Sequence, residues 1–374
     1  MKKKSKWKIK RIIVALVILA ILGFLLTNLI ISFTPYGKLR KLDYTKEVIK
    51  SMSDSVQERL IELKLYSKTV DQALTKKIFV EKNLELYISI EYKDTKNYIE
   101  DMNKLVLLGY DNDTIKRMYK NLDITEIDKI IKLGYIKDIN EYITVSYFRI
   151  DNLSRYMAYK TKTERQYDVV MTNVNIGLDK DYYDDEIVQT VSDTKTTLIL
   201  VNKYNKLPDG YEPTDLTKIS DGCAKEASEL REDAALAFEN LCAASIADGA
   251  KVLALSAYRS YKTQQSTWDS YMKSNGSSYT YYYVAKPGFS EHQTGLALDL
   301  ASGSVPGKTF SYTKDYTWTI NNAYKYGFIV RYEEGKESIT GYNFEPWHIR
   351  YVGVDIAKYI HDHDITFDEY IATK

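Results

Sequence analysis

The sequence predicts an α+β fold: a small antiparallel sheet with flanking helices, preceded by a helical region and an N-terminal helix long enough to cross a membrane. Three observations carry this. Residues 12–33 form a run of 22 residues without a charge. Residues 34–168 read as short apolar-periodic helices separated by polar turns. From Val169 onward, β-branched and alternating runs mix with amphipathic stretches, without the regular strand–helix alternation of a parallel sheet.

Composition narrows the function. A chain of 374 residues allows roughly two to three domains. Lys+Arg is 52 against 51 Asp+Glu, a net charge of +1, which leaves no basic excess for nucleic acid to be a partner. Two cysteines, Cys223 and Cys242, exclude a disulfide-stapled mini-fold and a cysteine zinc finger. The 34 tyrosines read as surface and core filler, with scope for carbohydrate contact. Only four histidines occur, His292, His348, His361 and His363, so each is a candidate for chemistry.

The N-terminus sets the compartment. Seven basic residues lie within 2–11. As a helix, the charge-free run after them spans roughly 33 Å, enough for a hydrocarbon core of ~30 Å. A cleaved signal peptide is the competing reading, but its apolar region is usually ~7–15 residues and ends at a small-x-small site. Thr27-Asn28-Leu29 is a poor cleavage site, and no lipobox-type cysteine follows. The sequence therefore predicts a cytoplasmic tail (1–11), a single-pass anchor in the cell membrane (12–33), and an extracytoplasmic remainder. Disulfides are permitted there. Cys242 lies in a helical pattern, however, and a helix starting as early as Ala224 would hold it too far from Cys223 to bridge. Pairing therefore stays open.

Residues 34–168 are expected to be a helical stalk or a degenerate array of helix–turn–helix units. LLGYDNDTIKRMY and KLGYIKDINEYI place Tyr110 and Tyr135 25 residues apart. A stalk and a wall- or partner-binding module both fit. In 169–374, TTLILVNKY (196–204) reads as a strand and Pro208-Asp209-Gly210 as a turn. A helix is expected over roughly 229–248, ended by Gly249. KVLALS, LALDLAS and FIVRY read as strands; YKTQQSTWDSYMK, WTINNAYKYGF and VDIAKYIHDHD read as helices.

The chemistry lies in two stretches. In SEHQTGLALDL, His292 precedes Asp299, with Gly295 allowing a turn between them. Asp299 sits in an apolar strand, where an unpaired carboxylate is expensive to bury and a metal ion would supply its partner. EPWHIRY adds His348, with Glu345 three residues before it. Two imidazoles and a carboxylate form an open three-ligand set of the kind that holds catalytic zinc, with a carboxylate nearby to serve as base. On spacing alone, a histidine merely hydrogen-bonded to a nearby aspartate remains an alternative.

SAYRSYKTQ, SEHQTGLALDL, YGFIVRY and EPWHIRYVG, in that order, resemble the zinc D-alanyl-D-alanine carboxypeptidases of the vancomycin-resistance, VanY-like type. Those enzymes share a fold with the D,D-dipeptidases and the hedgehog signalling domain. The resemblance covers roughly 169–374, the expected catalytic domain. It implies Zn²⁺ held by His292, Asp299 and His348, with Glu345 as general base. Arg259 would meet the substrate carboxylate or the oxyanion, and Gln264 and Ser290 would position the substrate. The implied substrates are peptidoglycan stem peptides that lose a C-terminal D-Ala. An L,D-carboxypeptidase acting on tetrapeptide stems and a non-catalytic wall-binding protein are the alternatives. Glu333-Glu334-Gly335 stands where the family often has a proline, which touches only a loop.

Other residues carry less. His361 and His363 are expected at a solvated helix end, and Glu291 is expected to point away from His292 into solvent. Trp347 is expected to pack its loop, and Cys242 lacks a histidine partner that would make it a nucleophile.

Overall fold

The structure is a computed structural model that describes residues 2–184, 188–302 and 307–374; the side chains of 2–13, including the basic cluster, lie outside the described ones. The chain divides into two compact units, Met1–Thr144 and Val145–Lys374.

The first unit opens with the helix Lys2–Phe33, in which Val14–Phe33 has a mean hydropathy of 2.8 and contains no buried residue. By length and composition it can cross a membrane. Short helices follow, among them Asp54–Leu63, Lys68–Thr75, Tyr98–Leu108, Asn112–Asn121 and Ile124–Leu133. Helices this short are marginal alone. Side-chain caps from Ser53, Ser67 and Asp111 and an Asp123–Glu126 capping box start them. Buried Leu60, Val70, Ile99, Met102, Ile115 and Ile130 hold them together. The tyrosine turns have a mechanical role. Tyr110 Oη donates to Gly134 O (2.9 Å) and accepts from Ile136 N–H (2.9 Å). Tyr44 Oη treats Leu65 O (3.3 Å) and Ser67 N–H (2.8 Å) in the same way. Each phenol straps one helical turn to a later one, satisfying backbone groups that a helix end leaves unpaired.

The second unit begins at Val145, before the texture change at Val169. The helices Leu153–Thr163 and Tyr167–Ile176 belong to it. Asn175 Nδ2 donates to Tyr147 O (3.2 Å) and to Ala372 O (3.1 Å), tying this pair to the end of the chain. Periodicity identifies a helix but not the surface it packs on, so the boundary read from texture at 168/169 falls later than the compact unit does.

The strands are β1 (Gln189–Thr190), β2 (Asn205–Lys206), β3 (Leu216–Lys218), β4 (Glu229–Arg231), β5 (Val252–Ser256), β6 (Ala297–Ser302), β7 (Phe328–Tyr332) and β8 (Glu345–Tyr351). β1 pairs with β2 and β3 with β4, while the main sheet runs β5-β6-β8-β7, antiparallel throughout. One face is apolar: Leu298, Leu300, Phe328 and Ile349 share a core with Phe238 and Leu241 of the helix Glu232–Ala247. The period of two turns Asp299, Arg331, His348 and Arg350 to the other face. The helices Val354–His363 and Phe367–Ala372 build a second core there with Ile329 and Val352.

Two expectations are revised. TTLILVNKY forms no strand. Its carbonyls at Thr197 and Ile199 accept instead from Arg350 Nη2 (3.0 and 2.7 Å), while Ile199 and Val201 are buried. The helix expected from residue 229 starts at Glu232, because Glu229–Arg231 is taken into β4. The segment before it pairs beside β5, with Ala254 N donating to Cys223 O (2.8 Å). That brings Cys223 within a Cα–Cα distance of 5.9 Å of Cys242, and the two form a disulfide.

Candidate active site

Register brings the site together. Asp299 on β6 lies directly opposite His348 on β8, a cross-strand pair on the polar face. His292 enters from a short 3-10 turn, Glu291–Thr294, just before β6. Gly295 closes that turn at φ +70°, where a Cβ would lie 3.0 Å from Arg231 Cγ and 3.1 Å from Leu216 Cδ2. Only glycine is comfortable in that position. Glu345 and His348 are three apart and would face opposite sides of a regular strand. The β7–β8 pairing steps from Val330↔Ile349 to Tyr332↔Glu345, so β8 carries two extra residues. This bulge at Pro346-Trp347 turns Glu345 toward the site, and it accommodates a proline that a regular central strand would not.

His292 Nε2 lies 3.3 Å from Asp299 Oδ2, and His348 Nδ1 lies 3.1 Å from Asp299 Oδ1. One donor atom from each of the three residues lies within 4.8 Å of the others. Ligands about 2.05 Å from a tetrahedral ion sit roughly 3.3 Å apart, close to the 3.3 and 3.1 Å contacts that the two imidazoles make with Asp299. The ring orientations fit the same use. His292 Nδ1 contacts Ala257 O at 2.7 Å. A carbonyl only accepts, so Nδ1 carries the proton and the Nε2 lone pair faces Asp299. Two imidazoles and one carboxylate, with no fourth protein donor grouped with them among the described residues, suit a catalytic zinc ion.

The cluster forms part of the wall of a cavity of about 560 Å³, also lined by Arg259, Gln264, Ser290, Glu345 and Trp347. Glu345 Oε2 is 4.0 Å from His348 Nδ1. Burial pushes its carboxyl up to about 8 against the pull of His348. Arg259 donates to Gln264 Oε1 (2.9 Å), and its guanidinium lies 3.6 Å from Asp299 Oδ2. Gln264 is buried and its Nε2 donates to Ala285 O (2.7 Å), so both ends of its amide are engaged and its direct contact is with Arg259. Ser290 is buried in the cavity wall. Burial would raise the Asp299 pKa, but His292 and His348 hold it well below the usual carboxylate range. Burial and Arg259 lower His292. Burial alone would lower His348; hydrogen bonds to Asp299 and Glu291 carry it up to about 9.

Glu291 overturns its sequence reading. It is 2% exposed, not solvated, because the 3-10 turn directs it beneath His348 instead of leaving it on an extended segment. Arg331 and Arg350, buried with it, escaped sequence reasoning too. The available signal was a charged residue inside each of the apolar runs FIVRY and HIRY, since a buried charge requires a partner. His361 and His363 lie apart from the cluster on the exposed end of the Val354–His363 helix, stacked on Tyr324 and Tyr359. Trp347 is partly buried against the apolar core and also lines the cavity. Cys242 is held in the disulfide.

Comparison with known proteins finds relatives of this chain. The profile of the VanY family, described as D-alanyl-D-alanine carboxypeptidase, matches residues 227–354, a span that contains the cluster, Arg259 and Glu345. YodJ of Bacillus subtilis (strain 168), named for a carboxypeptidase, is 40% identical over 209 residues, covering 53% of this chain and 77% of that protein. Among solved structures, the LD-carboxypeptidase LdcB, described with its peptidoglycan recognition, is 40% identical (TM-score 0.48; 52% of this chain, 94% of that one). A D,D-pentapeptidase VanY from a VanB-type resistance cassette, in complex with Zn(II), is 33% identical (TM-score 0.41; 47% and 98%). With its motifs in order and its site assembled on one sheet face, the chain belongs to the VanY family of D-alanyl-D-alanine carboxypeptidases.

Proposed function

We propose that this protein is a membrane-anchored zinc carboxypeptidase that removes the C-terminal D-alanine from peptidoglycan stem peptides outside the cell membrane. The observation that carries the reading is the meeting of His292, Asp299 and His348 in the wall of a cavity that also presents Glu345 and Arg259. His292 Nε2, an Asp299 oxygen and His348 Nδ1 would hold the ion. Bound there, zinc supplies Lewis-acid polarisation of the scissile carbonyl and a more acidic water. Glu345 takes the proton of the attacking water and returns it to the leaving amine; its raised pKa suits a group that must both accept and give. Arg259 pairs with the substrate's terminal carboxylate, and Gln264 and Ser290 set the wall against which the peptide lies. The helix containing Val14–Phe33 anchors the protein, and the basic tail holds its start in the cytoplasm.

Full-length protein in detergent should release D-alanine from a stem pentapeptide, lose that activity to a chelator and regain it with zinc. Release from the tetrapeptide alone would make it an L,D-carboxypeptidase. Release from neither, with zinc bound, would overturn the enzymatic reading. Protease added to wall-stripped cells should digest the cavity-bearing unit; its protection would reverse the topology.

A further inference from the structure

Beneath His348 lies a set of charges that the reaction as proposed does not use, and it reaches the cavity wall at Glu291. Glu291 Oε2 is 3.4 Å from His348 Nε2. Its other oxygen, Oε1, accepts from Arg331 Nε (2.8 Å) and Arg350 Nη1 (3.0 Å). Arg331 Nη1 donates onward to Asp368 Oδ2 (2.6 Å), and Asn202 Nδ2 donates to Asp368 Oδ1 (2.8 Å). Arg350 Nη2 ends on the carbonyls of Thr197 and Ile199. The side chains of Glu291, Arg331, Arg350 and Asp368 are at most 1% exposed. Two guanidinium and two carboxylate groups make the set neutral, which is the condition for burying four charges together.

We infer that Glu291 is a positioning residue: it fixes His348 so that Nδ1 faces Asp299 and His292, and it is held in turn by a network that ends in the C-terminal helix Phe367–Ala372. An imidazole has nearly the same shape after a half-turn about its Cβ–Cγ bond, so packing alone does not choose which nitrogen faces a metal. Hydrogen-bond partners choose. With both arginines on Oε1, the lone pairs of Oε2 remain for the Nε2 proton of His348. A flipped ring would present C–H to both Glu291 and Asp299. His292 is set the opposite way by Ala257 O, so the two imidazoles serve the site through unlike nitrogens. Asp368 and Asn202 lie outside the span 227–354 matched by the family profile. The network thus makes the chain's last helix part of the metal site without contact with it.

This inference rests on the zinc reading above, and the test separates the two. The full-length protein contains four histidines, so nitrogen-15 histidine labelling gives a sparse spectrum. In zinc-loaded protein, the proton of His348 should reside on Nε2 and exchange slowly, while that of His292 resides on Nδ1. A proton on His348 Nδ1 overturns the inference, and no variant is needed to see it. Glu291→Gln should lower zinc affinity, read by chelator competition, about 10–100-fold and shift the His348 Nε2 proton upfield. Asp368→Asn, which leaves Glu291 in place, should give a smaller fall in affinity and a smaller shift in the same direction. Where Glu291→Gln fails to fold, the wild-type spectrum and Asp368→Asn decide. Lower thermal stability with zinc affinity and the His348 proton unchanged would make the network structural only and overturn the inference. Wild-type protein that takes up no zinc removes the reading of the site, and this inference with it. Zinc bound through His348 Nε2 removes the inference alone.

Discussion

The two sides of His348 use the same residue types for opposite ends. Toward the cavity stand Glu345 and Arg259; beneath the ring stand Arg331 and Arg350, which clamp Glu291 where it meets the cavity wall. Arg259 retains 19% side-chain exposure, whereas Arg331 and Arg350 retain none. Burial pushes Glu345 up to about 8, while Arg331 and Arg350 overcome the same burial to hold Glu291 well below the carboxylate range. A carboxylate becomes a proton carrier or a fixed anion according to its neighbours, not its own chemistry. Motif adjacency conceals this, because Glu291 sits beside one proposed ligand and Glu345 three residues from the other.

The largest effect expected is in turnover. Glu345→Gln should lower kcat by about 10²–10⁴-fold with zinc retained, since a neutral amide cannot take a proton from water. Retained metal by assay together with activity within threefold of wild type would remove Glu345 from the mechanism and break the contrast. Arg331→Met tests the inner side. Removing one partner from a buried charge set leaves the others uncompensated and should cost about 3–5 kcal/mol in denaturant titration. Arg259→Met should cost less in the same titration, because its guanidinium keeps 19% exposure and the two inner guanidiniums keep none. Equal losses would mean that the two sides are not distinct.

The sheet's apolar face supplies the third comparison. Cys223 and Cys242 close a loop with a sequence separation of 19. Replacing both by alanine should cost about 3 kcal/mol by loop-closure entropy, with zinc affinity unchanged. A change in zinc affinity would show that the two faces of the sheet are coupled. The smallest effect concerns Arg259 as a reader of the chain end. Arg259→Lys keeps the charge but loses the planar fork, and should lower kcat/KM by roughly 10-fold. The preference for a free over an amidated terminus should shrink with it. An undiminished preference would assign carboxylate recognition to another group.

What was legible in the sequence was local. The order Leu298-Asp299-Leu300 shows a carboxylate facing away from the apolar side of a strand, because side chains alternate whatever the strand pairs with. The charge-free run of 12–33 shows a helix that can span a bilayer, because length and hydropathy belong to the segment itself. The scarcity of histidine and the motif spacing marked His292, Asp299 and His348 as candidates, and the resemblance to the zinc carboxypeptidases implied them as one set; the three meet in the cavity wall. Whether Cys223 reaches Cys242 was not legible, since it depends on where a helix starts, and β4 takes the residues that would have extended it.

By itself, then, the sequence determined the α+β class and three of the four strands of the main sheet, β5, β6 and β7, and it offered His292, Asp299 and His348 as a candidate metal set. The class and strands follow from periodicity; the candidate set follows from donor chemistry together with the motif resemblance. Only the tertiary structure decided that TTLILVNKY is no strand, that the second unit begins at Val145, and that Glu291 is buried. The reason is the same in each case. A backbone carbonyl satisfied by an arginine, a helix tied to the chain's last turn, or a carboxylate clamped by guanidinium groups depends on a distant partner. Arg331 and Arg350 lie 40 and 59 residues from Glu291, and no pattern within the segment records that they will meet.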